Sequence, residues 1–140
     1  MATKIRDIMT GSPTSVSPDL DLVTVARAMR DEDIGAVLVI AEDDDLMGLV
    51  TDRDLVVRGL AAGGDPSRAK IGAIASSVTA TIGPDDSPDK AAQVMRERSV
   101  RRLPVLEDGR PVGIVSIGDL AIERDSGSAL ADISAARSNG

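Results

Sequence analysis

The 140-residue sequence contains no Phe, Tyr or Trp, no His and no Cys. Without imidazole or thiolate, the usual zinc, iron and copper sites lose their nitrogen and sulfur ligands. Ser-His and Cys-His nucleophilic catalysis is excluded on the same ground. No disulfide can form, so a reducing cytoplasm is the expected compartment. The chain has no run of 18 apolar residues, and Lys4, Arg6 and Asp7 interrupt its start, so neither a membrane span nor a signal peptide is expected. Basic residues are in deficit, 16 against 23 acidic, for a net charge of −7. A general nucleic-acid binder needs a basic face and stacking aromatics, and nucleic acid is not an expected partner. Apolar residues make up 42% and charged residues 28%, an ordinary globular mixture that must pack on aliphatic side chains alone.

What the chain does have is an internal repeat. Sliding it by 66 residues pairs Ile5/Ile71, Ile8/Ile74, Pro18/Pro84, Asp19/Asp85, Ala26/Ala92, Met29/Met95, Arg30/Arg96 and Val39/Val105. The second copy is one residue shorter at an acidic turn, and an offset of 65 then pairs Gly48/Gly113, Val50/Val115, Asp54/Asp119 and Leu55/Leu120. Each copy reads as a short extended segment, a helix, a hairpin and a second helix. The first helix follows Pro18 or Pro84, with Leu22, Val25, Ala26 and Met29, or Ala91, Ala92 and Met95, at helical spacing. Ser87 is the expected cap of the second copy's helix and Pro88 its first residue. The strands are Ala36 to Ile40 with Leu46 to Val50, and Leu103 to Leu106 with Pro111 to Val115. The closing helices run from Thr51 to about Gly59 and from Ser116 to about Arg124, with boundaries good to ~2–4 residues. Residues 1–61 form the first motif, 62–70 a linker, 71–125 the second motif and 126–140 a tail with one short helix expected around Ala129 to Ala136. The expected fold is α+β, two β-α-β-β-α repeats packed with pseudo-two-fold symmetry into one compact module. A unit of this size buries too little surface alone.

Two stretches carry a family likeness. Asp7-Ile8-Met9-Thr10 through Gly48-Leu49-Val50-Thr51-Asp52-Arg53-Asp54-Leu55 closely resembles a cystathionine-beta-synthase (CBS) motif. Val100-Arg101-Arg102-Leu103-Pro104-Val105 with Gly113-Ile114-Val115-Ser116-Ile117-Gly118-Asp119-Leu120 is similar to its partner. The stretch Thr51 to Pro66 resembles stand-alone actinobacterial CBS-pair proteins of the hypoxic-response type. The resemblance implies a Bateman module: a non-enzymatic regulator that binds an adenosine-containing ligand (AMP, ADP, ATP, S-adenosylmethionine or NAD) in clefts between the motifs, commonly as a homodimer. No obligatory cofactor and no catalytic residue are implied.

Carried onto this chain, the family pattern gives phosphate to the hydroxyls of Thr51 and Ser116 and ribose to Asp54 and Asp119. Arg53 stands where a cation serves phosphate. Its counterpart is Gly118, and Arg102 is the candidate replacement. The remaining lining positions are Ser15, Val16, Ala36, Val37 and Leu38 in the first copy, and Thr81, Ile82, Leu103 and Pro104 in the second. A bland reading stands beside each. Ser or Thr followed three residues later by an acid is also a helix capping box that needs no ligand, and Val16, Val37, Ile82 and Leu103 suit a core in any case. The acidic run Glu42 to Asp45 reads as a solvated turn, without the Gly spacing that folds carboxylates round an ion, and no metal site is expected. The alternative function is a ligand-free protein of the same fold that acts on an unidentified protein partner. It gains from Gly118 and from Ala73-Ile74-Ala75-Ser76 replacing Asp7-Ile8-Met9-Thr10.

Overall fold

The computed structural model describes residues 3–124; the tail helix expected near Ala129 lies outside them. Helices and strands are mixed along the chain, as the α+β reading requires. The described chain divides into two compact units, residues 14–78 and residues 3–13 with 79–124.

The unit of residues 14–78 holds β2 (Ser15–Val16), α2 (Leu22–Glu32), β3 (Ala36–Ile40), β4 (Leu46–Thr51), α3 (Asp52–Asp54) and β5 (Ser76–Ser77), with sheet order β2-β3-β4-β5. Helix α2 starts where the Asp21 carboxylate accepts from the Thr24 amide at 3.0 Å. It buries Leu22, Val25 and Met29 against Val37, Val39 and Val50 of the sheet. It ends at Asp33, whose left-handed φ of 54° returns its amide to the last turn. Helical backbone continues past α3 as a π segment, Leu55–Gly59, and then a 3-10 turn, Leu60–Ala62. The expected second helix therefore exists but changes winding.

The other unit contains α1 (Ile5–Ile8), β1 (Thr10–Gly11), α4 (Pro88–Arg98), β6 (Arg102–Glu107), β7 (Arg110–Ser116) and α5 (Ile117–Arg124), with sheet order β1-β7-β6. Ser87 caps α4 by accepting from the Lys90 amide at 3.1 Å, with Pro88 at the first position as expected. Ser99 ends the helix at φ 54°, the counterpart of Asp33. The β6–β7 turn places Asp108 and Gly109 at φ 52° and 79°, the pair of left-handed residues a two-residue hairpin needs. Ile5, Ile82, Ala91, Met95, Leu103, Val105, Val115 and Leu120 form its core.

The repeats of sequence and the compact units of space are not coextensive. Residues 3–13 precede the first repeat yet belong with the second: β1 pairs antiparallel with β7, Thr10 opposite Ile114. Reciprocally, β5 precedes the second repeat's strands and pairs with β4, Ser76 opposite Leu49. The fully buried Ile5 and Ile71 anchor the two lead-in segments. Their amides donate to Asp86 O at 2.9 Å and Leu20 O at 2.8 Å. Lys4–Asp85 (3.7 Å) and Lys70–Asp19 (3.6 Å) repeat the same surface ion pair. Each unit thus takes its lead-in from the other repeat.

Candidate functional site

In the unit of residues 14–78, the expected positions converge on the start of the helical segment. Strand β2 runs parallel to β3, with Ser15 opposite Leu38 and Val16 opposite Val39, and Ala36 faces Thr51 across β3 and β4. Val16 and Val37 lie in the unit's core, which is the bland reading of both. Leu38 is fully buried outside that cluster, on the opposite face of β3 from Val37 and Val39. Ala36 is half-buried, and Ser15 and Arg53 are exposed.

Thr51 and Asp54 are half-buried and form a capping box. The Asp54 amide donates to Thr51 Oγ1 at 3.1 Å, and the Thr51 amide donates to Asp54 Oδ2 at 2.9 Å. This box uses only part of each group. A hydroxyl that accepts from an amide keeps its own proton, and a carboxylate has a second oxygen. Among the described residues nothing donates to Asp54 Oδ1 and nothing accepts the Thr51 hydroxyl proton. A donor suited to phosphate and an acceptor suited to a ribose hydroxyl therefore remain at a position that the cap holds rigid. Cap and ligand site are compatible.

The second unit repeats the arrangement. The Asp119 amide donates to Ser116 Oγ at 3.2 Å, and the Ser116 amide donates to Asp119 Oδ2 at 2.8 Å, both groups half-buried. Ile82 reaches β6 through one parallel bridge to Val105: its amide donates to Pro104 O at 3.1 Å and its carbonyl accepts from Leu106 N at 2.9 Å. In the first unit Leu38 N also donates to Thr14 O at 2.9 Å. Pro104, at the equivalent position, has no N–H to give, so the second copy of that short strand shrinks to a bridge. Ile82 and Leu103 are core residues, Pro104 is buried beside them and Thr81 is exposed.

The two sites differ in charge. Arg53 stands on the first helix start and Gly118 on the second. In the second unit the cations come from β6 and the turn before it: Arg102 faces Ser116 across the hairpin, where the first unit has Ala36 facing Thr51. Arg101 supplies the carbonyl that accepts the Ile117 amide at 2.9 Å, a role taken by Gly35 toward Asp52 at 3.0 Å. Among the described residues no ion pair engages the side chain of Arg53, Arg101 or Arg102. Arg101 went unnoticed in the sequence because its counterpart is Gly35; aligning the two turns was the signal that could have found it.

The acidic turn is exposed throughout, with Asp43 and Asp44 at φ 65° and 59°. No group of three or more His, Cys, Asp or Glu arranged for a metal occurs among the described residues. Sequence reading also missed Arg6, whose guanidinium binds Asp85 at 2.9 Å and Glu107 at 3.0 Å and fastens α1 to its unit. That pairing holds the Asp85 carboxyl below its ordinary range and raises the Arg6 guanidinium further.

The family model described as "CBS domain" matches residues 5–59 and again 71–125. The chain is 42% identical over 119 residues to hypoxic response protein 1 of Mycobacterium tuberculosis, covering 85% of this chain and 83% of that one. A crystal structure of Hypoxic Response Protein I with two coordinated zinc ions superposes with a TM-score of 0.74 at 42% identity, covering 85% of this chain and 97% of that one. A putative signal-transduction protein with CBS domains from Burkholderia ambifaria superposes with a TM-score of 0.79 at 26% identity, covering 90% and 96%.

Proposed function

The chain belongs to the CBS-domain family, with two copies of the motif, and from that membership we propose that it is a regulatory module binding an adenosine-containing ligand at two sites. Thr51 and Ser116 donate to phosphate, and Asp54 and Asp119 accept from the ribose. Arg53 serves the first site, Arg102 with Arg101 the second. With no aromatic ring in the sequence, the base lies against aliphatic side chains, Leu38 in one unit and Pro104 in the other. The ligand is an effector, not an obligatory cofactor, and no catalytic residue is assigned. The observation that carries this reading is the twofold recurrence of a half-buried capping box with a spare hydroxyl proton and a spare carboxylate oxygen.

The two-zinc state named for the mycobacterial structure does not transfer to this chain, because zinc's usual imidazole and thiolate donors are absent from its sequence. The same reading makes the protein a cytoplasmic homodimer. No described helix is long and apolar enough to cross a membrane.

Calorimetry with AMP, ATP, S-adenosylmethionine and NAD tests the ligand. The informative variants are Asp54→Asn and Asp119→Asn, which keep an oxygen for the cap and replace the spare acceptor with a donor. The expected result is a loss of about tenfold or more in affinity, the equivalent of ~1.4 kcal/mol, at nearly unchanged melting temperature. Absence of binding below millimolar for all four ligands would sink the reading. It would leave the second one, a ligand-free protein acting on a protein partner, which is favoured by capping boxes that are complete without a ligand.

A further inference from the structure

The two repeats share a fold but carry opposite surfaces at the corner where the first helix turns into the hairpin. After α2 the sequence runs Arg30-Asp31-Glu32-Asp33, three carboxylates and one guanidinium. After α4 it runs Arg96-Glu97-Arg98-Ser99-Val100-Arg101-Arg102, four guanidiniums and one carboxylate, in a chain whose net charge is −7. Cations at a helix C-terminus suit the helix dipole and carboxylates oppose it. The basic corner agrees with its local field. The acidic corner does not, and since the second repeat makes the same turn without those carboxylates, the fold does not demand them. A local conflict of this kind marks a position kept for something other than folding.

The neighbouring helices differ in a matching way. Each corner is hydrogen-bonded to the start of the next helix, Gly35 O to the Asp52 amide and Arg101 O to the Ile117 amide. The first repeat's helical segment exposes Val56, Val57 and Leu60, each about half accessible at 57%, 49% and 55%. The second repeat instead presents an apolar depression of about 190 Å³ between α4 and α5, lined by Ala92, Met95, Val100, Ile117 and Leu120 and rimmed by Arg96. Ile117, 58% exposed, replaces Asp52 of the first repeat. One repeat therefore carries an apolar ridge beside carboxylates, and the other an apolar groove beside arginines.

We propose that the chain pairs with a second copy of itself head to tail, the Val56-Val57-Leu60 ridge of one copy entering the α4–α5 groove of the other, with Asp31 and Glu32 facing Arg96 and Arg98. Two-fold symmetry makes the contact twice. The like-on-like alternative sets carboxylates on carboxylates and guanidiniums on guanidiniums, which is the repulsive half of the specificity. This pairing rests on the homodimer reading above and adds its polarity; it is independent of the ligand.

Because the sequence has no cysteine, single-cysteine variants read the polarity directly. Val57→Cys and Ile117→Cys should each stay unlinked alone and give a disulfide-linked dimer when mixed under oxidation. Sedimentation velocity of the reversed variants Asp31→Lys/Glu32→Lys and Arg96→Glu/Arg98→Glu should show dimers weakened about tenfold or more, with the equimolar mixture recovering wild-type affinity. Circular dichroism establishes that each variant is folded. Val57→Cys linking to itself, or reversed variants that dimerise like wild type, would overturn the polarity while leaving a homodimer. A wild-type chain that sediments as a monomer at all concentrations would overturn the homodimer as well.

Discussion

A Cβ built on Gly48 would sit 2.7 Å from Ser76 O, and one on Gly113 would sit 2.9 Å from Thr10 O. Both obstacles are backbone carbonyls of the lead-in strands, which cannot swing aside as a side-chain tip can. These two glycines match at the repeat offset because the same strand approaches the same place in each unit. Gly48→Ala and Gly113→Ala should each destabilise by about 1–3 kcal/mol, the usual range for overpacking. Gly63→Ala meets open space, and any cost there comes from its φ of +82° alone. Urea melts followed by circular dichroism separate the cases, since the chain has no aromatic fluorophore. At Thr51 the cap and the ligand ask for different atoms. Thr51→Val removes the oxygen that accepts the Asp54 amide and should cost about 1 kcal/mol of stability with no ligand present, whereas Asp54→Asn should cost little.

Among the elements, α2 carries a testable pH dependence. The Thr24 hydroxyl and then its amide donate to Asp21 and hold that carboxyl below its ordinary range. A carboxyl depressed in the folded state contributes stability above its unfolded pKa, and the contribution is lost as pH falls through the folded value. Acid should therefore weaken the wild type, and Asp21→Asn, which still caps the helix, should flatten the acid limb of a stability-versus-pH curve between about pH 5 and 3. An identical acid limb in the variant would place the loss elsewhere, with Asp85 next in line through its pairing with Arg6. The helices and hairpins were legible because their signals are local: period-3.6 burial in Leu22, Val25 and Met29, Ser87-Pro88 at a helix start, Asp108-Gly109 at a turn. The π winding at Leu55–Gly59 was not legible, because the run Leu-Val-Val-Arg-Gly satisfies a helical pattern of either width. The capping boxes were read as a choice between structure and function; only the geometry showed that each leaves one oxygen and one proton unspent.

At the scale of the whole molecule, the exchange of lead-in segments is the feature that the repeat conceals. Similarity at an offset of 66 places Ile5 with its own repeat and Ile71 with its own. It reports which residues are equivalent and is silent on which partner each one packs against. The contacts run the other way: Ile5 lies in the core with Leu103 and Val115, and Ile71 in the core with Leu22 and Val50. A fragment cut between the repeats therefore loses one fully buried isoleucine and one edge strand from its own unit, while carrying a segment that belongs to the other. Loss of a buried Ile side chain alone costs about 2–5 kcal/mol, a large part of the ~5–15 kcal/mol that holds a typical domain. Residues 1–66 and residues 67–140, expressed separately, should each show little cooperative unfolding by circular dichroism. Mixed at equal concentration, they should regain a cooperative transition, because each supplies the lead-in that the other lacks. Ile5→Ala in the first fragment or Ile71→Ala in the second should weaken that complementation. If either fragment alone melts with the full chain's cooperativity, each repeat is self-sufficient and the exchange is dispensable to its stability.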